Sequence, residues 1–238
     1  MILAAGRGTR LRPLTDTTPK PLVEVAGKTL LEHVARRLID AGADRLIVNV
    51  HPHAERIERH LDSLDLGVDV RISREEERAL ETGGGVLHAA PLFRRDGPFL
   101  LHNGDVISEI DLEGLLAVQR TGRALATLAV HARDTSRFFL FDRAGLLGWE
   151  NVATGRSERV RRPDGEVQRL AFAGIHAIDP RFLDLVEERG AFSIVAPYLR
   201  LSAAGHPIQP HDVTGAPWFE IGNPERLEAA RRALAPGG

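Results

Sequence analysis

Apolar positions in this chain alternate between two periods. Met1 to Ala5 is a short apolar run that reads as a buried strand and enters a glycine-rich loop, Gly6 to Gly8. From Thr29 to Ala41, Leu30, Leu31, Val34, Leu38 and Ile39 recur at helical spacing, and Gly42 ends the pattern. Arg45 to Val50 is β-rich, so the local unit is strand, helix, strand. The alternation continues with a helix over His53 to Leu64 and a strand over Val68 to Ile72. A helix follows over Gly85 to Leu92, emerging from a glycine loop, then a strand over Phe99 to His102. Leu112 to Thr121 reads as a helix and Ala124 to Val130 as a strand. Such alternation predicts an α/β fold: a Rossmann-like, mixed but mainly parallel sheet flanked by helices.

The pattern then changes. Phe138 to Leu170 breaks into short strand-like pieces separated by turn residues, and Arg162 to Glu166, with Pro163-Asp164-Gly165 at its centre, reads as a hairpin turn. This stretch predicts a small antiparallel excursion from the sheet. Phe172 to Ile178 returns as a strand. Helices follow over Phe182 to Glu188 and Ile194 to Ala204, the second interrupted at Pro197. Pro207 to Val213 and Trp218 to Ile221 are late strands, and Pro224 to Leu234 is a closing helix. With no repeat and no linker, residues 1–238 are expected to form a single domain without a C-terminal β-helix. Composition predicts disorder only in the tail, Ala235 to Gly238.

Composition narrows the function classes. Of 238 residues, 43% are hydrophobic and 27% charged, which suits a sizeable core. The net charge of -2 gives no global field to attract nucleic acid or a membrane. Cysteine is absent, which removes disulfides, thiolate metal sites and thiol nucleophiles. No apolar run approaches the ~20 residues of a membrane span. The apolar start runs at once into Gly6-Arg7-Gly8, unlike a signal peptide, so the expected location is cytoplasmic. Lys20 and Lys28 are the only lysines in an arginine-rich chain. A lysine kept in that background offers a compact ammonium that arginine cannot copy.

Candidate chemistry concentrates in four segments. The first is Leu3 to Leu22, LAAGRGTRLRPLTDTTPKPL. Its small residues Ala4, Ala5, Gly6 and Gly8 allow backbone N–H groups to turn towards a phosphate, and Arg7, Arg10, Arg12 and Lys20 add charge nearby. It is neither a Walker A loop nor a dinucleotide fingerprint, since both spacings fail. The second is Glu81-Thr82-Gly83-Gly84-Gly85, whose glycines permit close backbone approach to a ring or a phosphate. The third is Asn103-Gly104-Asp105 at a strand end, where ligands bind in open α/β sheets. Asp105 there is either an oxygen ligand for Mg2+ or the cap of the helix at Leu112. The fourth is Trp218-Phe219-Glu220-Ile221-Gly222. The histidines show no paired zinc spacing; His102, next to Asn103, is the one closest to this chemistry. The paired arginines elsewhere read as solvated faces.

The string Gly-x-Gly-Thr-Arg-Leu followed by Thr-Pro-Lys-Pro-Leu resembles the signature of the NDP-sugar pyrophosphorylases, the nucleotidyltransferases that make nucleotide sugars. The similarity runs in order through the loop, ETGGG, NGD, the strand around Gly174 and WFEIG. It implies transfer of a nucleotidyl group from a nucleoside triphosphate to a sugar 1-phosphate, with Mg2+ as cofactor. Leu3, Ala4, Ala5, Gly6, Gly8, Thr9 and Arg10 would bind the nucleotide, with Thr82, Gly83 and Gly84. Arg10 would steady the charge at the α-phosphate, and Lys20 would contact the phosphates. Glu81, Asn103, Glu150, Asn151 and Gly174 would meet the sugar. Asp105 would be the first Mg2+ ligand and Glu220 the second, in a string where the family usually has Asp. The ETGGG form is similar to short bacterial uridylyltransferases acting on N-acetylmuramate 1-phosphate, and also occurs in mannose-1-phosphate guanylyltransferase-like proteins. A phosphocholine-type cytidylyltransferase and a non-catalytic nucleotide-sugar sensor are the alternatives. The expected partners are the two substrates alone, with no nucleic acid or membrane, and the expected state is a monomer or a small homo-oligomer.

Overall fold

A computed structural model describes residues 1–235. Of the tail for which disorder is expected, residues 236–238 lie outside the described residues. In chain order the elements are β1 (Ile2–Leu3), α1 (Leu14–Thr17), β2 (Glu24–Val25), β3 (Lys28–Thr29), α2 (Leu30–Asp40), β4 (Arg45–Val50), α3 (Ala54–Ser63) and β5 (Asp69–Arg74). Next come α4 (Glu81–His88), β6 (Phe99–Asn103), β7 (Val106–Ser108), α5 (Leu112–Thr121), β8 (Ala126–His131), β9 (Arg137–Asp142), β10 (Gly145–Asn151) and β11 (Arg156–Arg159). The last are β12 (Gln168–Ile178), α6 (Phe182–Leu185), α7 (Val195–Ala203), β13 (Ile208–Asp212), β14 (Trp218–Glu220) and α8 (Pro224–Ala233).

The sheet is mixed and mainly parallel, with helices on both faces. Strands β5, β4, β1 and β6 lie side by side and parallel. β12 is antiparallel to β6 and β8, and β13 runs parallel to β8 at the far edge. Alternation sends side chains to opposite faces. Leu46 and Val48 pack with Leu31, Ile57 and Leu115 of α2, α3 and α5, whereas Ile47 and Leu101 pack with Val86, Phe182 and Tyr198 of α4, α6 and α7. Helix α2 shows why the local sequence folds so: the Thr29 hydroxyl accepts the Glu32 N–H at its N-cap, and Leu30, Leu31, Val34, Ala35 and Leu38 are buried.

Three details depart from the sequence reading, and one open alternative closes. Helix α4 begins at Glu81, so the glycines lie inside it rather than in a loop before it. Helix α7 runs unbroken through Pro197, because Pro197 is in the first turn, where a missing N–H costs no helical bond. The Arg162–Glu166 segment is not a hairpin turn: β11 pairs with β10, β10 with β9, and β12 with β9. Asp164 is instead drawn to the β9–β10 turn, where its carboxylate pairs with Arg143 and its N–H donates to Asp142 at 2.7 Å. Last, α5 is capped by Asp111, whose carboxylate accepts the Gly114 N–H; Asp105 is left for other work. Among the described residues, no helix is long and apolar enough to cross a membrane.

Candidate functional site

The chain leaves β1, runs outward through β4 and β5, then returns to β6 on the other side of β1. This reversal is a topological switch point, and it opens a crevice beyond the carboxyl ends of β1 and β6. Leu3 is in register with Asn103, so the glycine-rich loop and the Asn-Gly-Asp segment leave the sheet together. Gly104 makes that closeness possible: its N–H donates to the Leu3 carbonyl at 2.9 Å, and a Cβ there would lie 2.6 Å from the same oxygen.

A hollow of about 450 Å³ occupies the crevice. Leu3, Ala4, Ala5, Gly6, Arg7, Lys20, Glu81, Thr82, Asn103 and Asp105 contribute to its wall. The amides of Ala5, Gly6 and Arg7 meet no acceptor among the described residues, which leaves them as donors. Lys20 Nζ lies 2.5 Å from Asp105 Oδ2, with side chains only 12% and 25% exposed. Gly8, with φ +63°, does not line the hollow; its Cα backs onto Lys20, and a Cβ would come within 2.9 Å of that residue's Cβ. Thr9 is exposed and begins a 3-10 turn, Thr9–Leu11, that buries Leu11.

A second hollow, of about 620 Å³, adjoins the first and shares Asn103 with it. Arg10, Arg133, Arg137, Gly174, Trp218, Glu220 and Arg226 line it. Gly174 (φ +80°) sits at a register shift between Phe172 and His176, and its Cα faces the Asn103 carboxamide so closely that a Cβ would be 2.8 Å from Nδ2. Glu220 forms an ion pair with Arg226. Burial lowers the Arg133 guanidinium from its usual value, against the pull of Glu220.

Asp105 and Glu220 are brought close by pairing of β14 with β7: Glu220 is opposite Val106, and the Ile221 N–H donates to the Asp105 carbonyl at 2.8 Å. Each carboxylate has a cation against it, Lys20 or Arg226. Among the described residues no three His, Asp or Glu side chains gather into a metal cage. Two hard oxygen donors, Asp105 on one hollow and Glu220 on the adjoining one, still fit Mg2+, which takes one or two carboxylates and completes its shell with water and substrate phosphate.

Other expected residues lie elsewhere. Glu81, expected beside the sugar, lines the loop-side hollow. Gly83 and Gly84 are buried: both N–H groups donate to the Phe192 carbonyl, at 2.9 and 3.2 Å. The Thr82 hydroxyl accepts the Ile194 N–H at 2.9 Å. Neither Glu150 nor Asn151 lines either hollow. Glu150 is buried on β10 and paired with Arg169 at 2.7 Å, and Asn151 accepts the Ala153 N–H within a turn. His102 turns inward: it is 2% exposed, its Nδ1 meets the Asn103 carbonyl at 2.8 Å, and burial pushes its pKa down to about 4.

Sequence reasoning missed Asn49 and Glu75. Asn49 Oδ1 accepts the Ala4 N–H at 2.7 Å, and its Nδ2 donates to Glu75 Oε1 at 2.6 Å. Glu75 Oε2 accepts the Leu80 N–H at 2.7 Å, so one buried link ties the glycine-rich loop to the start of α4. A signal for Asn49 exists in the sequence: it is the polar residue inside the run Leu46-Ile47-Val48-Asn49-Val50. Glu75 is indistinguishable from its acidic neighbours.

This geometry has relatives. The sequence model of the nucleotidyl transferase family matches residues 1–235. An N-acetylmuramate α-1-phosphate uridylyltransferase of Caulobacter vibrioides is 35% identical, covering 99% of this chain and 96% of that protein. A mannose-1-phosphate guanylyltransferase catalytic subunit beta of Drosophila pseudoobscura pseudoobscura is 32% identical over 94% of this chain and 59% of its own length. The solved structure of an inositol-1-phosphate CTP transferase from T. maritima superposes with a TM-score of 0.78 at 18% identity, covering 99% of this chain and 95% of that one; that likeness is one of fold.

Proposed function

From a chain that belongs to the nucleotidyl transferase family, we propose an enzyme that joins a nucleoside triphosphate to a sugar 1-phosphate, yielding a nucleotide sugar and pyrophosphate. One observation carries the reading: two adjoining hollows share Asn103 at the switch point, one walled by the glycine-rich loop with Lys20 and Asp105, the other by Arg10 and Glu220. Two substrates need two compartments with their reacting ends at a common wall.

A phosphate oxygen of the sugar 1-phosphate attacks the α-phosphorus in line as the bond to the bridging oxygen of pyrophosphate breaks. The attacking oxygen is already an anion, so no covalent intermediate is needed, and catalysis comes from position and charge. The amides of Ala5, Gly6 and Arg7 cradle the triphosphate, and Lys20 orients its phosphates. Arg10 stabilises charge developing at the α-phosphate. Mg2+, held by Asp105 and Glu220, would supply charge neutralisation at the phosphate oxygens. Asn103 and Gly174 bound the sugar.

The full-length similarity to the Caulobacter protein supports UTP and N-acetylmuramate 1-phosphate as the pair; the similarity to the Drosophila protein supports GTP and mannose 1-phosphate as the second reading. The arginines of the second hollow disfavour a quaternary amine such as phosphocholine. We take residues 1–238 as one catalytic domain, working as a monomer or small homo-oligomer in the cytoplasm. Pyrophosphate release tests the reaction: UTP, GTP, CTP, ATP and dTTP, each with several sugar 1-phosphates and phosphocholine, with and without Mg2+. A Mg2+-dependent productive pair is expected. Silence across the panel from folded protein that binds a nucleotide would favour a non-catalytic sensor.

A further inference from the structure

The second hollow holds more positive charge than the transfer reaction needs. Four arginines, Arg10, Arg133, Arg137 and Arg226, line it against one carboxylate, Glu220, which is already paired with Arg226. Arg10 flanks Gly222 beside Glu220, at the reacting end of the hollow. Arg133, from the segment that joins β8 to β9, and Arg137, the first residue of β9, have no counterpart in that chemistry.

Arg133 is held as a rigid fork with little to bind. Its guanidinium carbon stands 4.4 Å from the centroid of Trp218. Trp218 is fixed in turn, its indole N–H donating to the Ala173 carbonyl at 2.8 Å and its ring meeting the edge of His131. The Arg133 Nε is buried without a hydrogen-bond partner among the described residues. Its terminal nitrogens reach only the backbone carbonyls of Asp134 and Phe172, both at 3.4 Å. A guanidinium has five donors; here the Nε is buried and unmet, which costs stability, and the terminal nitrogens are only loosely met. Stacked on a ring, it presents a planar edge that matches a carboxylate with two parallel bonds.

We infer that Arg133, aided by Arg137, reads a carboxylate on the sugar of the acceptor, so that the enzyme selects an acidic sugar 1-phosphate over its neutral counterpart. This rests on the reading of the chain as a sugar-1-phosphate nucleotidyltransferase and adds a specificity-determining residue to the second hollow. Selection works mainly by penalty. A neutral sugar would seal Arg133 from water without giving it a partner, and sites built to bond a polar group reject analogues that lack it. Arg137 is exposed and supplies longer-range attraction.

The test compares two acceptors that differ by the lactyl ether: N-acetylmuramate 1-phosphate, which carries the carboxylate, and N-acetylglucosamine 1-phosphate, which does not. kcat and KM are measured for both, with the nucleoside triphosphate selected by the panel, in wild type, Arg133→Met, Arg133→Lys and Arg137→Gln. The wild type is expected to prefer the acidic sugar. Arg133→Met should lower kcat/KM for it about 10- to 100-fold, chiefly through KM, as for loss of a charged hydrogen-bond pair. The neutral sugar should change by less than about threefold, because it never used the guanidinium. Arg133→Lys should restore part of the loss, and Arg137→Gln, which removes no packing, should show a smaller loss in the same direction. Equal losses on both sugars, unchanged discrimination in every variant, or a wild type that turns over the neutral sugar as well as the acidic one would overturn the proposal and leave the reaction class standing. A wild type silent with both sugars and with the whole panel would overturn the reaction class itself.

Discussion

Lys20 reaches Asp105 across 85 positions of sequence, and the two side chains meet at 2.5 Å with little exposure. The site around Lys20 is cut for a slim side chain. Gly8 backs onto its Cβ, and Thr15 lies behind, holding the Gly8 carbonyl with its hydroxyl at 2.9 Å. A planar guanidinium is wider than an ammonium and distributes its charge differently. Lys20→Arg is therefore expected to lower kcat about 100-fold although charge is kept, the size associated with loss of one well-placed electrostatic group. Asp105→Asn keeps volume and removes charge; it should lower kcat at least ~100-fold at saturating Mg2+. Steady-state kinetics of the two variants, checked by thermal melts for intact folding, tests both roles. Near-normal turnover by Asp105→Asn would remove the carboxylate from the chemistry. Both residues were legible in the sequence, because each stands in a dense local string. Asn49 and Glu75 were not, because their significance lies in each other and in Ala4 and Leu80, which only the fold brings within reach.

Helix α4 shows what propensity reading misses at the scale of an element. Three consecutive glycines cost a helix about 1 kcal/mol each relative to alanine, so the segment reads as a loop. Tertiary contact reverses that judgement. A Cβ on Gly83 would lie 2.4 Å from the Phe192 ring, and one on Gly84 only 2.3 Å from the Gly190 carbonyl. On Gly85 it would strike Asn49 Nδ2 at 2.7 Å and Glu75 Oε1 at 2.8 Å. The glycines let α4 lie against residues 190–194 and against the buried Asn49–Glu75 link, and neither Gly83 nor Gly84 touches the hollow wall. Alanine at either of two positions should then act differently. Gly84→Ala meets backbone that cannot swing aside, and overpacking should cost about 1–3 kcal/mol despite the gain in helix propensity. Gly85→Ala pushes on side chains that orient Ala4 and Leu80, and it should lower kcat/KM more than it lowers the melting temperature. Urea unfolding and kinetics of the pair decide the matter. Gains in stability for Gly84→Ala would mean that helix propensity outweighs the contact. The mistaken hairpin at Arg162–Glu166 has a similar origin: turn-forming residues do not say which strands pair, and Asp142 and Arg143 hold Asp164 instead.

At the scale of the whole molecule, the alternating pattern fixed the sheet type and the order of the motifs, while the depth at which each polar residue lies had to come from packing. The histidines make the point and carry a consequence for stability. His102 on β6 and His176 on β12 lie on neighbouring strands, each almost wholly buried. His176 Nδ1 meets the Tyr198 hydroxyl at 2.8 Å. Burial is the main cause of their lowered pKa values, about 4 for His102 and about 3 for His176, with the charge of His102 adding to the effect on His176. Both are neutral in the fold at neutral pH and take up protons near pH 6.5 when the chain unfolds. The unfolded state therefore binds more protons below that pH, and stability falls as pH drops from 6.5 through 4 and on towards 3. Each imidazole contributes a slope of at most about 1.4 kcal/mol per pH unit in that window. Asp142, whose carboxyl is held down to about 2 by Arg161 first of all, adds its own loss only below its ordinary value of 3.8; above pH 4.5 the two histidines share the window with the Met1 amine, which burial lowers from 8.0 to about 5, and with His131, lowered by burial as well. Urea unfolding at pH 7.5, 6.0 and 5.0 should show a steady decline in wild type. His176→Phe, less stable overall because Tyr198 loses its partner, should show a shallower decline, since one proton-binding site has gone from the unfolded chain. A wild-type midpoint that stays level from pH 7.5 to 5.0, or equal slopes in both proteins, would mean that water reaches these imidazoles and that β12, between β6 and β8, opens more readily than its packing implies.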